Sequence, residues 1–309
     1  MQDIRHAARP EIVGPGDRSI SGPGPGLRGE CLLRAGLAAL AYGLPLIFIV
    51  LPVVSFLTYS FFRVDGVTII YEPTLANYVR FFADEIYLPM FLRTALLACE
   101  VALLSVLFGY PVALLLASLH GRIKYLATLL FVVPLLMSYI IKIYAIRSIL
   151  GSRGFLNRIL LWLGIIDQPL TVLVFNLNAV LITLAVILLP FAILPIFIAL
   201  ERIPRNLLDA SADLGATSTQ TFRRIVLPLS LQGTLVGASF TFVLAIGDFV
   251  TPQMVGGPQG FTFGRIIYSQ FGMAFNWPFG AALSVFLLLA VLAAIALAAR
   301  IGRLPAPAR

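Results

Sequence analysis

The sequence predicts an all-α membrane protein of six transmembrane helices, with both termini on the cytoplasmic side. Three observations carry that expectation. Of the 309 residues, 60% are hydrophobic and 12% charged, and the mean hydropathy is +0.97. A soluble globular domain carries about 25% charged residues, and a disordered chain is polar and charge-rich, so both classes are excluded. The apolar residues gather into six stretches, each near the roughly 20 residues a membrane helix needs. Finally, 14 of the 22 lysines and arginines fall on one side of those stretches.

The chain opens with a Gly/Pro-rich stretch (Gly14-Pro15-Gly16, then Gly22-Pro23-Gly24-Pro25-Gly26), which reads over 1–35 as a flexible cytoplasmic arm. The domain of six spans covers 36–300, and 301–309 form a short cytoplasmic tail. The first span, Gly36 to Phe62, holds no charge and is too long for a signal-peptide core. The second, Thr94 to Leu119, contains one acid, Glu100. The third, Tyr125 to about Leu150, is uncharged up to Lys142. The fourth stretch, Leu170 to Leu200, exceeds one span, which implies tilt or an interfacial start near Asn176 and Asn178. Leu229 to Gly247 and Phe279 to Ala299 complete the set. Pro111, Pro134, Pro190 and Pro195 lie within spans and suggest kinks that open a lumen, although proline is common in membrane helices.

Orientation follows from the flanking cations. One side holds Arg5, Arg9, Arg18, Arg28, Arg34, Arg122, Lys124, Arg202, Arg205, Arg223, Arg224, Arg300, Arg303 and Arg309. That side is the cytoplasm. Trp162 and Trp277 flank spans on the other, where indoles anchor at the interface. The net charge of +8 is scattered, which suits a membrane surface and not a nucleic acid. Cys31 and Cys99 fall at opposite bilayer faces, too far apart for a disulfide. His6 and His120 are far apart in sequence, and no cysteine/histidine metal cluster exists.

The informative cytoplasmic stretch is 201–228, between spans four and five, which reads as two short helices. Asn206 can cap the first, with Asp209 three residues on. Leu207, Ala210, Ser211 and Leu214 then make one small apolar face, and Asp209 and Asp213 share another. Gly215 is a natural terminator, Thr217 and Gln220 are spaced as a capping box, and Pro228 breaks the chain before span five. Such a hairpin suits docking to a partner, and equally an amphipathic linker lying on lipid.

Asp209-Ala210-Ser211, then Gly215 after three intervening residues, then Ile225-x-Leu227-Pro228 after nine more, resemble the EAA signature of permease subunits of bacterial ABC importers. Asp209 stands for the usual Glu and Ser211 for the second Ala. Gly247-Asp248-Phe249-Val250-Thr251-Pro252 through Gly256-Gly257 is similar to the B-type permeases of spermidine/putrescine importers. So are 134–139, 144–147, 150–151 and 154–157, and the resemblance spans roughly 42–299. It implies the type I importer fold in the bacterial inner membrane. It also implies a homologous second permease, two ATPase subunits and a periplasmic binding protein as partners. By the same resemblance, Asn206, Leu207, Asp209, Ala210, Ser211, Leu214, Gly215, Ala216, Phe222, Ile225, Leu227 and Pro228 are expected to face the ATPase.

The chain itself is not expected to be an enzyme or to hold a cofactor. A phosphate-cradling Walker loop requires Gly-Lys-Ser/Thr, and neither of the two lysines, Lys124 and Lys142, follows a glycine. ATP and Mg would be bound by the separate ATPase. Polar residues at membrane level mark a possible pathway or gate: Glu100, Tyr139, Lys142, Tyr144, Arg147, Asp248, Thr251 and Gln253. They can equally satisfy one another, with Lys142 or Arg147 paired to Glu100 or Asp248, or with the arginines snorkelling. Asp248 and the aromatic faces would suit a polyamine. The scarcity of acids leaves thiamine, aminoethylphosphonate, ferric iron, or an anionic or zwitterionic solute as alternatives. A secondary transporter driven by an ion gradient is the rival mechanism.

Overall fold

The computed structural model describes residues 25–66, 68–170 and 173–302. Arg5, Arg9, Arg18, Arg303, Arg309, His6 and most of the Gly/Pro-rich run lie outside the described residues. The chain divides into two compact units, 1–55 and 56–309. In the first, helix α1 (Pro25–Pro45) starts inside the stretch expected to be a flexible arm. A π-helical turn, Leu46–Val50, leads from α1 into α2 (Leu51–Tyr59). The apolar part, Gly36–Tyr59, is long enough to cross a membrane.

In the second unit, the loop after α2 carries regular structure. Strands β1 (Arg63–Asp65) and β2 (Thr68–Ile70) pair antiparallel, Arg63 opposite Ile70, across Gly66 at φ +61°. Helix α3 (Ala76–Ala83) follows. The Asn77 side chain donates to the carbonyls of Ser60 (3.0 Å) and Phe62 (2.7 Å), which fixes the loop over the bundle end.

Five helices are long and apolar enough to span: the first, then α4 (Tyr87–Ser118), α8 (Leu177–Glu201), the run Ser218–Ile246 and α14 (Trp277–Gly302). The sixth is a bent pair. The stretch expected to form one span from Tyr125 to about Leu150 is broken, with α5 (Gly121–Leu136) and the run Tyr139–Trp162 meeting at 103°. Met137 and Ser138 are extended at the break, and the Met137 N–H turns back to the Pro134 carbonyl at 3.3 Å. The far arm comprises α6 (Tyr139–Leu150) and α7 (Phe155–Trp162). Pro190 and Pro195 leave α8 uninterrupted. Its start is set by Asn176, whose side chain accepts the Ala179 N–H at 2.9 Å, so the surplus length lies in the loop.

Pro228 does not break the chain. Helix α9 (Arg205–Asp213) and α10 (Ser218–Thr221) form the hairpin, and a π turn (Phe222–Val226) carries α10 directly into α11 (Leu227–Ile246). The Leu227 N–H reaches back five residues to the Phe222 carbonyl. A proline has no N–H and its ring crowds the carbonyl four residues back. The wider π turn supplies that room. The other π turn also ends two residues before a proline, Pro52.

Helices α4, α8 and α11 make the centre. Leu97, Ala98 and Val101 meet Val180, Leu184, Ile187 and Leu188, with Ala245 and Ile246 closing the cluster. In lipid there is no hydrophobic force between helices, so close approach at small residues matters. Gly233 and Gly237, one turn apart, let α11 touch the α8 backbone. A Cβ at Gly237 would lie 2.9 Å from the Ala192 carbonyl oxygen, and one at Gly233 would lie 2.5 Å from that of Pro195. Tyr110 and Ser230 add a 2.7 Å hydroxyl bond between α4 and α11. Beyond α11 the chain makes α12 (Val250–Val255) and α13 (Phe263–Gly272) before α14.

Candidate functional site

The residues singled out in the sequence gather at two places. The first is the hairpin. Asn206 is not the cap of α9: Pro204 occupies that position, and Asn206 lies within the first turn. Pro204, extended at ψ 131°, sets the helix start by its own backbone restriction. The end of α9 is closed as the sequence predicts. Gly215 has φ +75°, its N–H bonds the Ala212 carbonyl at 2.9 Å, and the Ala216 N–H bonds that of Ser211 at 3.0 Å. These are the two bonds of a Schellman motif, which needs a left-handed residue at that point. Thr217 and Gln220 form the complete capping box that starts α10.

The hairpin's outer face carries Leu207, Asp209, Ala210 and Leu214, all exposed, with Leu214 at 88%. Ser211 is not exposed with them. It is buried, and its hydroxyl lies 2.9 Å from Thr221 Oγ1, so it ties α9 to α10. Ser211 shares the stripe of Leu207 and Leu214, four residues from one and three from the other, and is the member of it that α10 covers. Phe222 stands edge-on to Tyr110 of α4, 5.9 Å between centroids, which seats the hairpin against the bundle. Ile225 and Pro228 are half-buried and Leu227 is exposed where α11 begins.

At the same end, two contacts escaped the sequence reading. Lys124 of α5 forms an ion pair with Glu201 at the end of α8, and Arg205 Nη2 lies 2.8 Å from His120 Nε2. Pairs 77 and 85 residues apart leave no local signal. The Gly233/Gly237 contact was legible as a Gly-x-x-x-Gly spacing in an apolar stretch.

The second place is where α6 meets α12. Tyr139 OH lies 2.9 Å from Thr251 Oγ1. Asp248 caps α12: its Oδ1 accepts the Val250 N–H (3.3 Å) and its Oδ2 the Thr251 N–H (3.1 Å). The Lys142 ammonium sits 5.7 Å from the Tyr139 ring centroid. So Tyr139, Lys142, Asp248 and Thr251 come together. The remaining candidates do not join them. Glu100, Tyr144 and Gln253 are exposed, and Arg147 lies 5.4 Å from the Phe175 ring. Among the described residues, neither Lys142 nor Arg147 forms an ion pair with Glu100 or Asp248, so the charge-pairing alternative is not realised.

The glycines of this region have backbone reasons. Gly257, at φ +58°, packs so closely on Phe175 that a Cβ would lie 2.7 Å from that residue's Cβ. A Cβ at Gly256 would lie 2.6 Å from the Gly260 carbonyl oxygen. The loop that follows α12 is thereby packed tightly on itself and on Phe175.

Comparison with known proteins agrees with this architecture. The chain is 36% identical over 240 residues to the spermidine/putrescine transport system permease protein PotB of Escherichia coli (strain K12), covering 77% of this chain and 86% of that one. It is 36% identical over 258 residues to the inner membrane ABC transporter permease protein YdcU of the same organism, covering 79% and 81%. Among solved structures, a bacterial ABC transporter importing the acidic polysaccharide alginate matches with a TM-score of 0.64 at 20% identity, covering 90% of this chain and 98% of that one. The methionine ABC transporter MetNI matches with a TM-score of 0.53 at 21% identity, covering 71% and 98%. These two share the type I importer permease fold. The pattern of the family described as the binding-protein-dependent transport system inner membrane component matches residues 35–305. The chain belongs to that family and is a multi-pass inner-membrane permease subunit of an ABC importer, a non-catalytic component.

Proposed function

We propose that this permease forms half of the pathway of an ATP-driven importer for a polyamine of the spermidine/putrescine type. A homologous second permease supplies the other half, and a periplasmic binding protein delivers the solute. Two ATPase subunits bind ATP and Mg, and the hairpin of α9 and α10 docks on one of them. Closure of the ATPases then moves the helices as rigid bodies between outward and inward states.

The observation that carries the substrate reading is the 36% identity to spermidine/putrescine permeases over more than three quarters of the chain. The grouping of Asp248 and Tyr139 is compatible with it, since a carboxylate and an aromatic face suit an ammonium group. Docking is supported by the exposed Leu207 and Leu214 on a hairpin closed by a full Schellman motif and a full capping box.

The test is transport of labelled spermidine in proteoliposomes holding the complete assembly with its binding protein, beside a Gly215→Trp variant. The wild type is expected to import spermidine and to hydrolyse ATP faster when the loaded binding protein is present. The variant is expected to insert normally and lose that stimulation, because a side chain at φ +75° distorts the turn that sets the hairpin. Import of another solute in preference overturns the polyamine reading. Normal stimulation in Gly215→Trp overturns the docking role.

A further inference from the structure

We propose that the Lys124–Glu201 ion pair is a transmission strut, which carries displacement of the α9–α10 hairpin into the broken third span. The proposal rests on the reading of that hairpin as the ATPase-docking element. It makes Lys124 and Glu201 positioning residues for transport, at a distance from the solute.

Glu201 ends α8, and α9 begins at Arg205. Lys124 lies in the first turn of α5. The pair therefore joins the base of the hairpin to the start of the third span. The Lys124 ammonium also sits 5.6 Å from the Phe197 ring centroid on α8. The Lys124 side chain is 19% exposed and that of Glu201 40%, so the pair is partly withdrawn from water. A pair this accessible adds little to stability, so its part is to hold geometry.

A second link runs in parallel. Arg205, the first residue of α9, reaches His120, the residue that caps α5. A guanidinium has only donors, so His120 Nε2 accepts. Two side-chain bonds thus tie the start of α5 to the two sides of the turn between α8 and α9, to Glu201 on α8 and to Arg205 on α9. That arrangement holds the start of α5 at two points on the base of the hairpin, one on each side of the turn.

The strut matters because α5 is otherwise loosely held. It contains no buried residue, and it rests on α4 and α8 through half-buried Ala127 and Phe131. At its far end the chain breaks at Met137 and Ser138, and the next residue, Tyr139, is bonded to Thr251. Movement imposed on α9 would reach Tyr139 along α5, without passing through the tightly packed centre of α4, α8 and α11. A contiguous path alone does not demonstrate coupling, so exchange of the two charges is the decisive measurement.

In the complete transporter, Lys124→Glu and Glu201→Lys are each expected to co-purify the ATPase and to keep basal hydrolysis. Each should lose roughly five-fold or more of the hydrolysis stimulated by the loaded binding protein, together with spermidine import. The double exchange should restore both. Wild-type stimulation in the single variants overturns the proposal, as does a double exchange no better than either single. If a single charge reversal prevents assembly, Lys124→Met keeps the contact with Phe197 and removes only the charge. Loss of stimulation at normal yield then supports the strut, and unchanged stimulation overturns it. Failure of the docking reading shows separately, as normal stimulation in Gly215→Trp.

Discussion

Tyr139 and Thr251 show what a single contact does at the junction of α6 and α12. Thr251 is fully buried, and its hydroxyl meets the phenol 112 residues away at 2.9 Å. Tyr139→Phe removes that partner and is expected to destabilise the permease by about 1–3 kcal/mol. Combining it with Thr251→Val should recover most of the loss, since removing both polar groups leaves neither to be satisfied. Thermal midpoints of the purified transporter in detergent read both effects. If the contact also gates solute, spermidine import should stay low in the double variant while stability returns. Ser211 illustrates the same scale from the opposite direction. A serine stands there for the family's alanine, and in the structure its hydroxyl bonds Thr221 and ties the hairpin together.

Between elements, the close approach of α8 and α11 rests on glycine. Gly237→Ala places a Cβ 2.9 Å from the backbone oxygen of Ala192, and backbone cannot give way as a flexible side chain can. The expected cost is about 1–3 kcal/mol, read as a lower thermal midpoint and a lower yield of folded transporter. Gly43→Ala, where a Cβ meets nothing within 4 Å, should leave both unchanged. The hairpin's two closures were legible in sequence because Thr-x-x-Gln and a helix-ending glycine are local patterns. Asn206 misled because a favourable cap residue and a proline stood two positions apart, and the proline set the start. Pro228 misled for a related reason: a proline near a helix start can be absorbed by a π turn, and nothing in its own residue type announces which outcome occurs.

For the molecule as a whole, the topology turns on the bent pair. If α5 and the arm Tyr139–Trp162 together cross the membrane, three crossings separate the β1–β2 loop from the hairpin. The two then lie on opposite faces. If the pair returns to its own side, they share a face. In a background with Cys31 and Cys99 replaced, Asp65→Cys is expected to react with a membrane-impermeant maleimide on intact spheroplasts. Ser218→Cys should react only after permeabilisation. Labelling of both from outside would mean that the third segment re-enters, and with it the assignment of both termini to the cytoplasm would fall.

The sequence by itself determined that this chain lives in lipid, where most of its spans lie, and which loop forms the closed hairpin. Hydropathy, capping and turn chemistry act over a few residues, so they can be read along the chain. Only the tertiary structure decided that the third span is broken at Met137 and Ser138, because a proline permits a break without requiring one. It also decided that Tyr139 meets Thr251, that Lys124 meets Glu201, and that neither Lys142 nor Arg147 pairs with Glu100 or Asp248. Those outcomes depend on which helix faces are brought together in space. In a bundle where nearly every face is apolar, hydrophobic pattern cannot distinguish a face turned to lipid from one turned to a neighbouring helix.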